Sequence, residues 1–317
     1  MASRGVPCDA DNIVITSGSQ QALEFLGRLL LSPNDTALVE EPTYLGALQA
    51  FSAFEPHYDY LRPEQGNRTP EAYASSAKAA GGDVKFAYVV PDFANPTGLT
   101  LSIGARQNLL SLACDLDVPI IEDSAYAALR FEGASMPSVQ ALDIDRVGNI
   151  DASRVIYCGT FSKTIAPGLR LGWLCAARDI VRRVVLVKQA TDLNSALLNQ
   201  IVMCRLAEQV YDRQVGAAIA LYRARRDAML YALEVSMPAG VTWTRPSGGL
   251  FTWVTLPRDV DAAQLLKRAV AEAHVAFVPG SAFFAGQEGH NTMRLSYSLS
   301  DEAAIMAGVR RLANLLM

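Results

Sequence analysis

Short apolar runs alternate with amphipathic stretches along the first part of the chain. Residues 13–16 form a brief β-branched run, followed by the turn Ser17-Gly18-Ser19-Gln20. Ala22, Leu23, Leu26, Leu29 and Leu30 then recur at the spacing of one helical face. Asn34-Asp35 ends that helix, and residues 36–39 make a strand that leads into Glu40-Glu41-Pro42-Thr43-Tyr44. The next strand, residues 86–90, is closed by Pro91-Asp92-Phe93-Ala94-Asn95-Pro96-Thr97-Gly98. A helix follows, with Ser102 as its cap and Leu109, Leu110, Ala113 and Leu116 on one face. Residues 118–121 are a short buried strand running into Glu122-Asp123, and a long irregular stretch separates it from a strand at 155–158. That strand ends at Gly159 and is followed by Thr160-Phe161-Ser162-Lys163, a Pro-Gly turn holding Arg170, and a second apolar run over 171–176. Continuous apolar strands between amphipathic helices predict an α/β fold with a mostly parallel central sheet flanked by helices on both faces.

From Asp179 the pattern changes. Helical spacing dominates to about residue 235, with Ile219, Tyr222 and Leu233 in phase. Beyond Pro238 the chain reads as strand (250–256), helix (262–273) and two further strands (276–278 and 293–299). This predicts a smaller C-terminal α+β domain hung on a long helix, and a division into residues 1–212 and 213–317. The chain shows no internal repeat and no low-complexity linker.

Composition narrows the function. Half of the 317 residues are hydrophobic and 19% are charged, ample material for a large core. A net charge of −4 argues against nucleic acid as a partner, since phosphate binding needs a concentrated basic surface. The one basic cluster, Arg223, Arg225 and Arg226, lies in a helical pattern and reads as a solvated face or an ion-pair network. No apolar run approaches the ~18–20 residues needed to span a bilayer. The N-terminus has no apolar stretch of the secretory kind, so the expected location is the cytoplasm. The five cysteines, Cys8, Cys114, Cys158, Cys175 and Cys204, are widely spaced and read as reduced core residues. His57, His274 and His290 fall in no metal-ligand spacing.

In an open α/β sheet, ligands gather just beyond the carboxyl ends of the strands. This chain places Ser19, Gln20, Tyr44, Asn95, Asp123, Tyr126, Thr160, Ser162, Lys163 and Arg170 there. The turn at Ser17–Gln20 opens a helix whose free N–H groups and dipole suit a phosphate, although capping by serine would explain it alone. Turn formation accounts for Pro96 and Gly98, but Asn95 also offers a donor and an acceptor to a ring hydroxyl. A carboxylate at a buried strand end is costly unless it meets a positive group, or else Asp123 caps a following helix. Tyr126, three residues on, would share a side of that helical turn. Lys163 alone reads as a solvated strand end. Jointly these groups meet one demand: a lysine for imine formation, an acid against a ring nitrogen, donors for a ring hydroxyl, and an anion cup. Pyridoxal 5'-phosphate requires that set.

The segments TSGSQQALEF, EEPTYLGALQAF, PDFANPTG, IIEDSAY, GTFSKTIAPGLRLGW, TRPSGGLFTW, VAFVPGSAFF and NTMRLSYS make the chain resemble the class I/II aminotransferases of fold type I. The resemblance runs through nearly the whole chain. It points to the branch holding 2-aminoadipate, kynurenine and aromatic amino-acid aminotransferases. It implies that Lys163 carries the cofactor as a Schiff base, that Asp123 keeps the pyridine nitrogen protonated, and that Asn95 and Tyr126 bond the ring hydroxyl. It further implies that Tyr44 stacks on the ring, that Ser19, Gln20, Thr160, Ser162 and Arg170 surround the phosphate, and that Arg294, with Asn95, clamps the substrate carboxylate. Thr160 stands where many relatives have serine, and the hydroxyl is kept. The implied reaction moves an amino group between an L-amino acid and a 2-oxo acid such as 2-oxoglutarate, in a homodimer. The same domain also serves as the sensing half of GntR-type regulators, which is the alternative reading. Relatives usually carry a substantial segment ahead of the TSGSQ-type loop. Sixteen residues precede Ser17 here, so a truncated or shortened chain with little activity is a further expectation.

Overall fold

The computed structural model describes residues 1–317, the Ser3 side chain excepted. Seven strands form the central sheet: β1 (Ile13–Thr16), β2 (Thr36–Glu40), β3 (His57–Leu61), β4 (Val84–Val89), β5 (Ile120–Asp123), β6 (Val155–Thr160) and β7 (Gly172–Cys175). Their spatial order is β1-β7-β6-β5-β4-β2-β3. The pairs β2/β3, β2/β4, β4/β5 and β5/β6 are parallel, and β7 runs antiparallel to both β6 and β1. The predicted mostly parallel sheet is therefore observed.

Helices α1 (Ser19–Leu30), α2 (Leu45–Ser52), α3 (Pro70–Ala79), α4 (Ile103–Asp115), α5 (Val139–Val147) and α6 (Arg178–Thr191) surround this sheet. Side chains alternate across each strand, and the two faces feed separate cores. Tyr88, Ile121 and Ile156 join Leu23, Phe25 and Phe51 of α1 and α2. Val89, Ile120 and Val155 join Tyr73, Leu109, Leu110 and Val139 of α3, α4 and α5. Ser102 caps α4 as expected, its hydroxyl accepting from Ala105 N at 3.2 Å.

A 40-residue helix, α7 (Leu197–Ser236), passes unbroken through residue 212. It packs on α9 (Glu302–Asn314) beside a four-stranded antiparallel sheet of β8 (Thr242–Trp243), β9 (Phe251–Thr255), β10 (Val278–Pro279) and β11 (Thr292–Ser296), ordered β10-β11-β9-β8. The helix expected over 262–273 is α8 (Ala262–Arg268), continued through residue 273 by wider π-type turns.

Several expectations change. The stretch between Asp123 and Val155 contains α5, and no helix starts at Asp123, which ends β5 and leads into a turn. Gly159 does not stop its strand: β6 continues to Thr160, paired with β7, and the missing side chain at 159 is filled by Trp173, whose ring lies 2.3 Å from where a Cβ would stand. Cys158 and Cys175 are core residues, but Cys114 and Cys204 are exposed on α4 and α7. Arg226 forms an ion-pair network, bridging Glu132 and Asp227 while almost wholly buried.

Candidate active site

Five co-directed strands, β1, β2, β4, β5 and β6, deliver their ends to one edge, and the chain there encloses a cavity of about 190 Å³. Its lining holds Ser19, Gln20, Tyr44, Asn95, Asp123, Tyr126, Thr160, Ser162, Lys163 and Arg170, together with Val90 and Ala125. All ten strand-end residues singled out from the sequence thus converge. Arg294 borders the cavity through Asn95, whose Oδ1 accepts from Arg294 Nη1 at 2.7 Å.

The anion end is built by close packing. Gly18 precedes α1 with φ 84° and offers no side-chain cap, so serine capping does not explain the motif, and the first N–H groups of α1 remain available. A Cβ on Gly18 would stand 2.8 Å from Arg170 Nη2. Gly172 lets the start of α1 lie against the sheet, since a Cβ there would come within 2.8 Å of Ser19 N and Gly18 C. Ser162 N donates to Thr160 Oγ1 at 3.1 Å, and Thr160 Oγ1 donates to Ser162 Oγ at 3.0 Å. Arg170 Nη1 donates to Ser162 Oγ at 3.5 Å. A helix start, hydroxyls and a guanidinium therefore share one corner, a suitable set for a phosphate.

The loop carrying Asn95 is held from behind. Arg106 of α4 is fully buried and donates to Leu101 O, Pro137 O, Pro91 O and Asp92 Oδ1 at 2.8–3.1 Å. Arg130 meets the same Asp92 oxygen at 2.8 Å.

Asp123 is 3% exposed. Its Oδ2 accepts from Tyr88 Oη at 3.0 Å, whereas buried Oδ1 has no partner within the chain. Burial pushes its pKa up to about 6, against the lowering influence of the Tyr88 hydrogen bond and the Lys163 charge. An unpaired buried carboxylate oxygen suits a cationic N–H donor, and a protonated ring nitrogen fits it. Lys163 has its pKa lowered by burial and then by Arg170, which favours the neutral amine that imine formation requires. Tyr126 is buried, and its pKa is raised by burial first. Arg294 also has its pKa lowered by burial; its guanidinium carbon lies 4.1 Å from the Phe251 ring centre and 5.0 Å from that of Phe283. Its Nε is buried and has no hydrogen-bond partner. The residues present therefore fit pyridoxal phosphate along their whole length.

Tyr88, Phe251 and Phe283 were not singled out from the sequence. Phe251 lies in the quoted TRPSGGLFTW segment. Tyr88 reads as one more apolar residue of a buried strand, and only the β4–β5 pairing reveals its partner.

This arrangement defines a cofactor-dependent transferase. Residues 2–312 match the family Aminotransferase class I and II, and the chain belongs to that family of pyridoxal-phosphate-dependent transaminases. It is similar to aromatic-amino-acid aminotransferase 1 of Thermococcus litoralis, with 41% identity over 312 residues, covering 97% of this chain and 73% of the relative. A kynurenine aminotransferase structure from Pyrococcus horikoshii superposes with TM-score 0.88 at 43% identity, covering 96% of this chain and 75% of that one. LysN, the α-aminoadipate aminotransferase of Thermus thermophilus, solved with N-(5'-phosphopyridoxyl)-L-leucine, gives TM-score 0.88 at 37% identity, covering 96% of this chain and 77% of that one.

Proposed function

We propose that this transaminase takes 2-aminoadipate, an aromatic or a branched or aliphatic L-amino acid as donor and a 2-oxo acid such as 2-oxoglutarate as acceptor. The observation that carries the residue assignment is the half-satisfied Asp123 in the same cavity as Lys163. When bound, the cofactor supplies an imine carbon and an electron sink.

The chain's own residues do the rest. Lys163 Nζ would hold the cofactor, and as a free amine it would carry the proton away from the substrate Cα and back. Asp123 keeps a positive charge at the ring nitrogen. Asn95 and Tyr126 bond the ring hydroxyl, and Tyr44 covers one ring face. Ser19, Gln20, Thr160, Ser162 and Arg170 take the phosphate. Arg294, with Asn95, takes the substrate carboxylate through its planar fork.

The relatives described above are aminotransferases, so the regulator reading is not favoured. No helix is long and apolar enough to cross a membrane. A homodimer and a cytoplasmic location complete the proposal. Leu193 ahead of α7 and Leu197, Leu198 and Ile201 at its start, each more than half exposed, support the first, and the five unpaired cysteines support the second. The test is a visible absorbance band lost on borohydride treatment, with the reduced cofactor recovered on a Lys163 peptide. Lys163→Ala abolishes both turnover and trapping. Near-normal transamination by that variant would sink the assignment, and no band from a folded, cofactor-loaded sample would favour a chain unable to assemble the site.

A further inference from the structure

Tyr88 is fully buried within the β4 side of the sheet. It stands in register with Ile121 of the neighbouring parallel strand, and Asp123 lies two residues further on the same face. Two residues of strand span about 6.6 Å, close to the reach of a tyrosine that leans along its strand. The phenol covers that span and donates to Asp123 Oδ2 at 3.0 Å. Phe51 packs edge-on against its ring at 5.7 Å, which fixes the ring plane.

For packing alone this position needs a phenyl ring. A hydroxyl buried this deeply has to find a partner, and among the described residues that partner is one oxygen of the carboxylate whose other oxygen is unpartnered. A carboxylate with neither oxygen held can rotate about its Cβ–Cγ bond and point either oxygen into the cavity. With Oδ2 tied to β4, the position of Oδ1 is set.

We infer that Tyr88 is a positioning residue for Asp123: its hydroxyl holds one carboxylate oxygen and so aims the other at the ring nitrogen of the bound cofactor. This rests on the role given to Asp123 above. The bond also favours the anion, because a donor to a carboxylate is worth more once the group is ionised.

The other groups facing Asp123 cannot replace it. Lys163, arriving from beyond β6, lowers the Asp123 pKa by charge alone, and the Ala125 backbone N–H lowers it less than either the lysine or Tyr88. Tyr44, Tyr126 and the Cys158 thiol each face Asp123 and, on ionising, would disfavour its anion. Burial first, then the Asp123 charge and, least, Glu40 raise the Tyr88 phenol pKa, which keeps the hydroxyl a donor. The Tyr88 bond is thus the largest favourable influence on the Asp123 anion, ahead of the lysine.

Tyr88→Phe removes the donor and keeps the ring. In cofactor-loaded Tyr88→Phe, the ring-nitrogen 15N signal of labelled cofactor moves from the protonated toward the neutral pyridine position. The acid limb of the single-turnover rate against pH shifts upward by about one pH unit, so the rate at a fixed pH on that limb falls roughly tenfold and the rate at neutral pH about twofold. Thermal stability and borohydride trapping at Lys163 stay near wild type. Asp123→Asn is measured alongside. If it shifts the 15N signal while Tyr88→Phe leaves both signal and acid limb at their wild-type positions, the positioning role is overturned. If Asp123→Asn leaves the signal unmoved, the assignment of Asp123 itself fails and takes this inference with it.

Discussion

Glu122 and Asp123 are neighbours on β5, both buried, and they face opposite sides of the same sheet. On one side, Glu122 accepts from Val139 N at 3.1 Å and Gln140 N at 2.9 Å, so each oxygen is tied to the first turn of α5. On the other, Asp123 has one oxygen tied to Tyr88 and one left free. Burial raises both pKa values, to about 7 for Glu122 and about 6 for Asp123. Burial and displaced pKa are therefore common to both, and hydrogen-bond satisfaction is what separates them. A completed buried carboxylate is a structural joint, anchoring a helix N-terminus where negative charge is favoured. A half-completed one that lines a cavity shared with a lysine is the candidate for a ligand contact, because an unpaired buried acceptor is costly.

The widest gap between the two should appear on replacing Asp123 with Asn. The fold survives and Tyr88 keeps its acceptor, but the transamination rate falls on the order of 10³-fold, as for loss of a key electrostatic stabiliser. Pre-steady-state turnover together with a thermal melt measures this, and a fall of less than tenfold breaks the comparison. Glu122→Ala should do the reverse. It strands two N–H groups and costs about 2 kcal/mol of stability by denaturant titration, while rate per folded molecule stays within a factor of a few. A variant as stable as the parent would show that the α5 joint carries no weight.

Acid sharpens the contrast further. In its proposed role Asp123 must be ionised to receive a cationic ring nitrogen, and it takes up a proton as pH falls through about 6. Cofactor affinity, followed by the visible band, therefore weakens about tenfold per pH unit below that point, and Asp123→Asn removes this dependence. The smallest effect concerns Glu122. Its folded pKa lies above its unfolded value near 4.5, so its contribution to stability is full below 4.5 and is lost as pH rises through 7. Glu40, also raised to about 7, behaves likewise. With Glu40 and Asp123 supplying the rest, Glu122→Gln should therefore remove roughly two-fifths of the decline in stability between pH 5 and 8, read from denaturant midpoints.

Much of this geometry was legible in the chain because apolar runs mark the strands and polar residues cluster where they end. Ser19, Asn95, Asp123 and Lys163 each follow such a run, and the parallel topology then brings the ends together. Elements with little apolar contrast were hidden. α3 buries only Tyr73 and Ala77, which is no stripe. β3 is an edge strand that exposes His57, so its alternation is faint. α5 had a signal in Ser138, which caps it, and Gly148, which ends it with φ 88°, but both lay inside an otherwise irregular stretch. Tyr88 was illegible for another reason. Its hydroxyl matters only through a residue 35 positions away, and a strand register is needed to know that they meet. Arg294 had meaning only through the resemblance, since its partner Asn95 is 199 positions distant.

That last separation has a consequence in time. A chain synthesised from its N-terminus at about 5–20 residues per second brings out Asn95, Asp123 and Lys163 well before Arg294. The 199 positions between Asn95 and Arg294 correspond to about 10–40 s of synthesis at that pace. On the proposed roles, the Arg294 fork is thus the last part of the site to come off the ribosome, and the pocket for the cofactor precedes the grip on the substrate.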